Sequence, residues 1–92
     1  MAEDAHSNSI CSNFARIVRE ERKRRDVSMT RLAEMAGLSQ GTISLIEHEH
    51  RSPSLDTMLR IADSLGLDLS SMIARAERQA RHGAKLAGKR KS

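Results

Sequence analysis

No tryptophan and no tyrosine occur in this chain of 92 residues, and Phe14 is its one aromatic. Recognition that stacks bases on aromatic rings is therefore excluded. One cysteine, Cys11, cannot close an internal disulfide, which fits a reducing compartment, and a cytoplasmic location is expected. Proline occurs once and glycine five times, too few for a collagen-like chain or a flexible linker. Apolar residues come in short runs such as Ile17-Val18, so neither a bilayer-spanning segment nor a signal peptide is expected. Yet 38% of the residues are hydrophobic, which separates the chain from disordered sequences. A chain this short has room for one small domain with a marginal core, which a second copy would help to stabilise.

Charge is abundant but unevenly placed. The net charge is +4. From Arg75 to Ser92 seven basic residues (Arg75, Arg78, Arg81, Lys85, Lys89, Arg90 and Lys91) face one acid, Glu77, so the remainder of the chain is slightly acidic. A second concentration, Arg16, Arg19, Arg22, Lys23, Arg24, Arg25 and Arg31, lies among three acids. Such a run is ordinarily a solvated helix face and can also be a surface for phosphates. Composition permits nucleic-acid binding without establishing it.

The apolar pattern is helical throughout. Residues 1–8 lack periodicity and are expected to form a flexible arm; residues 82–92 are expected to form a basic, disordered tail. The domain between them, residues 9–81, starts with Ile10, Phe14, Ile17 and Val18 on one helix face that continues to about Arg25. Ser28 is placed to cap a second helix carrying Leu32, Ala33 and Met35, which Gly37 stops. Ser39 caps a third, with Ile43 and Ile46 inward. Ser54 caps a fourth, whose apolar face is Leu55, Met58, Leu59, Ala62 and Leu65 and whose end is Gly66. Asp68 caps a fifth bearing Leu69, Met72, Ile73 and Ala76. No pattern of period two exists, so the fold class is all-α with five helices. The second and third helices, joined by Ala36-Gly37-Leu38-Ser39, describe a helix-turn-helix.

Residues 14–73 resemble the Cro/repressor-type (Xre-like) helix-turn-helix family. The likeness is carried by Arg22 and by S-x-x-x-L-A-x-x-A-G-L-S from Ser28 to Ser39. I-S-x-I-E from Ile43 to Glu47, R-S-P-S-L from Arg51 to Leu55 and A-D-S-L-G-L from Ala62 to Leu67 continue it. The resemblance implies a domain whose third helix enters the DNA major groove, as a homodimer on a palindromic operator. A sequence-specific transcriptional regulator is therefore expected, with an antitoxin or other partner-binding protein that autoregulates its operon as the alternative.

On a helical wheel, Ile43 and Ile46 set the inward direction, and Gly41, Ser44, Leu45 and His48 face outward. Gln40 stands at the N-terminal end, where this motif reaches base edges and where a glutamine can bond adenine at N6 and N7. The expected base-reading set is Gln40, Gly41, Ser44 and Leu45, with Leu45 suited to a thymine methyl. Phosphate contacts are expected from Ser28, Ser39 and Thr42 at helix starts, and from His50, Arg51 and Ser52 in the following loop. The resemblance also implies that Arg22 and Glu47 pair across helices, as a partly buried salt bridge. Leu67, Leu69, Met72 and Ile73 are the candidate dimer seam.

Three positions depart from the family pattern. Glu49 stands where a glycine usually ends the third helix, bringing backbone strain and a negative charge near the phosphate path. Gly41 takes a side chain off the reading face, and Leu45 replaces a residue that is more often polar. Other chemistry finds no support: Glu47-His48-Glu49-His50 lacks the ligand spacing of a zinc site, and Cys11 has no orienting acid. The phosphate-loop motif has no match. No enzymatic activity, cofactor, metal or membrane contact is expected.

Overall fold

Four helices begin on the side-chain oxygens that the sequence places at their starts. The computed structural model describes the backbone of residues 2–91 and the side chains of residues 10–81. Its helices are α1 (Ala2–Arg24), α2 (Met29–Ala36), α3 (Gln40–Glu47), α4 (Leu55–Ser64) and α5 (Leu69–Lys91). Ser28 Oγ accepts from the Arg31 amide at 3.0 Å, Ser39 Oγ from Thr42 at 3.1 Å, and Ser54 Oγ from Thr57 at 3.2 Å. Asp68 does the same for Ser71 at 3.1 Å. Each cap satisfies one of the amides that a helix start leaves without a partner.

The stops are equally local. Gly37 takes φ +70°, and the next amide, of Leu38, returns to the Ala33 carbonyl at 2.8 Å. An L side chain is strained there, which is why glycine ends α2. Asp26 makes the same left-handed turn after α1 at φ +57°, with Val27 bonded back to the Arg22 carbonyl at 3.0 Å. Asp and Asn tolerate that region better than most residues.

Both outer helices extend beyond the sequence expectation. Residues 2–8 of the expected arm and 82–91 of the expected tail continue α1 and α5 in the backbone; residues 1 and 92, and the side chains of these segments, lie outside the described residues. Ala2, Glu3 and Ala5, and Ala84, Lys85, Leu86 and Ala87, are good helix formers that no proline interrupts. Absence of apolar periodicity at 1–8 argued against a buried face there, not against helix.

One core holds the five helices together. Phe14, Ile17 and Val18 of α1 meet Leu32 and Ala33 of α2, Ile43 and Ile46 of α3, Ile61, Ala62 and Leu65 at α4, and Met72 and Ala76 of α5. The first and last helices run antiparallel: Glu21 meets Arg75, while Arg16 reaches Gln79 at 2.9 Å and Asn13 reaches the Ala76 carbonyl at 3.3 Å. Among the described residues no helix is long and apolar enough to cross a membrane.

Two apolar expectations are corrected. Met72, placed in the dimer seam, is 2% exposed and belongs to the protein's own core, while Leu67, Leu69 and Ile73 pack against that core half-buried. Conversely Leu55, assigned to the buried face of α4, is 72% exposed, and Leu59 and Met35 are also exposed. Helix spacing fixes which residues share a face but not how wide a stripe the neighbours cover.

The arginine run has a role that the sequence did not disclose. Glu21 is buried and receives Arg25, Arg24 at 2.7 Å and, from α5, Arg75 at 3.2 Å, so two cations of the run are spent at the end of α1 and a third, from outside it, ties α1 to α5. Arg25 foremost, then Arg75 and Arg24, draw the Glu21 carboxyl down from an ordinary 4.5 to about 2, against the opposing effect of its burial. A carboxyl lowered in the folded state adds stability that is complete above its unfolded value and is lost on acidification towards its folded one. Glu21→Gln is expected to cost about 1–3 kcal/mol near neutrality. Urea denaturation should show that deficit shrinking as pH falls from 4.5 towards 2; a deficit that stays constant over this window would contradict the role.

Candidate nucleic-acid interface

α3 is a two-turn helix with sharply different sides. Ile43, Ile46 and Glu47 are buried, whereas Gln40, Gly41 and Leu45 are exposed and Thr42 and Ser44 are half-buried. Leu38 of the turn packs against the core, seating α3 across α2. The outward residues expected from the wheel therefore share one accessible face, and Leu45 keeps 41% of its surface open. No hydrogen bond among the described residues engages the Gln40 side chain. Its amide is free for an outside partner.

The cap hydroxyls have lone pairs turned inward and protons still to give. Ser28 accepts from the α2 backbone and retains its O–H donor. Ser39 and Thr42 lie 2.9 Å apart, so these two hydroxyls share one proton and leave the other for an external acceptor. Together with the free amides of the first turns, they form an anion-compatible edge at the adjoining starts of α2 and α3.

The loop after α3 completes this edge. Glu49 adopts φ +62°, so it accepts the left-handed strain instead of lengthening the helix. Its amide bonds to Ile46 at 3.0 Å, and that of His50 to Leu45 at 2.8 Å. The Glu49 carboxylate stays exposed and accepts from Ser12 Oγ of α1 at 2.5 Å. Cys11, Ser12, Glu49, Arg51 and Ser52 line a groove of about 250 Å³ at this junction. The His48 ring donates from Nδ1 to the Ser44 carbonyl at 2.8 Å. His50, Arg51 and Ser52 are exposed, and Arg51 has no ion-pair partner among the described residues.

Behind the exposed face lies the pair expected between helices. Arg22 Nε meets Glu47 Oε2 at 2.7 Å and Nη2 meets Oε1 at 2.9 Å, a two-pronged fork. The remaining prong, Nη1, donates to the Val27 carbonyl at 2.9 Å. The pair is more deeply buried than the expected boundary position: Arg22 is 9% and Glu47 3% exposed. Burial is tolerable because the Val27 carbonyl, freed where α1 turns off, supplies a third acceptor. The Glu47 carboxylate, hydrogen-bonded to the guanidinium, raises the affinity of Arg22 for its proton against the opposing effect of burial.

The structure thus brings together Gln40, Gly41, Ser44 and Leu45 on one side of α3, with Ser39 and Thr42 at its start and His50, Arg51 and Ser52 beyond its end. Sequence reasoning missed the Ser12–Glu49 clip. Its signal was half-present, in the glutamate at the glycine position; nothing local marked Ser12 as the partner.

The chain is similar to known proteins. The helix-turn-helix family matches residues 18–72, and the chain belongs to that family. The immunity repressor protein of Bacillus phage phi105 is 36% identical over 52 residues, covering 56% of this chain and 36% of that protein. The HTH-type transcriptional regulator PuuR of Escherichia coli is 34% identical over 59 residues, covering 64% of this chain and 32% of the regulator. The chain therefore corresponds to a minor part of either relative. Among solved structures, the clp gene regulator ClgR from Corynebacterium glutamicum superposes with a TM-score of 0.76 at 18% identity, over 89% of this chain and 87% of that one. That likeness establishes the fold.

Removing one partner of the fork strands a buried charge, which costs about 3–5 kcal/mol in pairs of this kind. Glu47→Gln and Arg22→Met are each expected to lower Tm markedly, and the double variant to lose less than the sum. A double-mutant cycle by thermal denaturation measures the coupling; a value near zero would show two independent surface charges.

Proposed function

We propose that the protein is a sequence-specific DNA-binding transcriptional regulator that lays α3 in the major groove. The observation that carries this reading is the division of α3: its inner side is locked by Ile43, Ile46 and the Arg22–Glu47 fork, and its outer side does no work for the fold. Gln40 reads an adenine, Leu45 meets a thymine methyl, and Gly41 and Ser44 complete the reading face. Ser28, Ser39, Thr42, His50, Arg51 and Ser52 hold phosphates on either side, fixing register without carrying sequence information. The relatives named as a repressor and a transcriptional regulator support the same activity. Binding, not catalysis, is the function, exercised in the cytoplasm.

The active unit in this reading is a homodimer. With Met72 withdrawn into the core, the seam contracts to the half-buried Leu67, Leu69 and Ile73. A two-fold axis through α5 sets the two reading helices on successive turns of one duplex face.

Selection of bound fragments from random duplex DNA tests binding and symmetry together. Pseudo-palindromes with half-site centres roughly 34–36 Å apart are expected. Single asymmetric half-sites, with a monomer in sedimentation, would remove the dimer. Gln40→Ala should weaken the selected site by about 1–3 kcal/mol and relax preference at one base pair, with random DNA bound as before. An equal loss on both DNAs would remove Gln40 from the reading set.

A further inference from the structure

Gly41 is the residue of α3 that the fold does not explain. Glycine weakens a helix relative to alanine, and α3 has only eight residues over which to spread that loss. Glycine is favoured where the backbone turns left-handed, as at Gly37 and Gly66, but Gly41 is not among the positive-φ residues and lies in ordinary helix. Glycine is also required where a Cβ would collide. A Cβ at position 41 would meet nothing nearer than Ser39 Oγ, at an easy 3.9 Å. Neither backbone nor packing calls for its absence, so the space matters only to something arriving from outside.

The surroundings indicate what arrives. Gly41 is exposed one helical turn before Leu45, so the missing side chain leaves a notch walled on one side by an open leucine. Gln40 precedes it, and the capping hydroxyl of Ser39 closes the N-terminal side. A small apolar group enters such a notch at no cost in hydrogen bonds, while polar neighbours on two sides hold what carries it. In the major groove the one apolar projection of an unmodified base is the C5-methyl of thymine.

We propose that Gly41 and Leu45 form a methyl-accepting notch, making Gly41 a specificity-determining residue that reads thymine by shape. The proposal rests on the DNA-binding reading above. The bare first turn of α3 approaches the base edge closely, the thymine methyl fills the place a Cβ would occupy, and Leu45 covers its far side. Gly41 then gives up helix stability for this approach.

The test crosses a protein change with a DNA change. Gly41→Ala fills the notch; replacing thymine by uracil, one position at a time in the selected duplex, removes the methyl. Affinities come from fluorescence anisotropy and stability from thermal denaturation. Gly41→Ala is expected to raise Tm by several degrees and to weaken the selected site at least fivefold. At one position uracil should weaken the natural protein severalfold, yet leave Gly41→Ala unaffected or bind it better. Undiminished affinity of Gly41→Ala, or the same uracil penalty in both proteins at every position, would overturn the notch while leaving DNA recognition intact. A natural protein without preference for any duplex sequence would overturn the recognition reading, and the notch with it.

Discussion

The two-pronged contact between Arg22 and Glu47 is the constraint on which the rest of this small protein turns. α3 has two turns, too short to be stable by itself, and its outer side must stay bare. Two isoleucines fix its depth in the core but allow it to roll. A planar guanidinium held by two oxygens on one side and by the Val27 carbonyl on the other permits neither roll nor slide. The end of α1, the left-handed turn at Asp26 and the seating of α3 are thus one device. A well-packed hydrophobic replacement can match its energy but does not set an angle in the same way.

The same economy governs the helix starts. Ser28 and Ser39 each serve the fold with an oxygen accepting from the backbone; the Ser28 proton, and one of the two that Ser39 and Thr42 carry between them, is not used by it. The cap therefore occupies the accepting side of each group and leaves donor capacity at the helix starts. Glu49 is the converse case: a residue poorly suited to its backbone conformation is tied to α1 by the Ser12 hydroxyl.

What could be read in the sequence followed from local physics. Four caps, the glycine stops at Gly37 and Gly66, the inward isoleucines of α3 and the division of its faces were all legible, because each depends on residues within about one turn. The Arg22–Glu47 pair was legible only through family likeness, since helical periodicity placed the two at boundaries and not together. Features depending on several helices at once were not legible. Glu21 gathers cations from its own turn and from α5, Met72 is covered where Leu55 is not, and Ser12 finds Glu49 across the loop. Burial at these positions is decided by how helices cross, which one-dimensional spacing does not contain.

The antiparallel meeting of α1 with α5 bears on how the molecule comes into being. The helix-turn-helix itself is closed by neighbours in sequence, whereas the contacts of Asn13 and Arg16 with Ala76 and Gln79 span 63 positions. Bringing such distant segments together costs chain entropy before their burial returns any of it, so this closure sets the folding barrier and α2–α3 does not. On a ribosome, α3 emerges before the segment that completes the core beneath it. The nascent α3 therefore lacks part of its support, and its packing is complete only after α5 has docked.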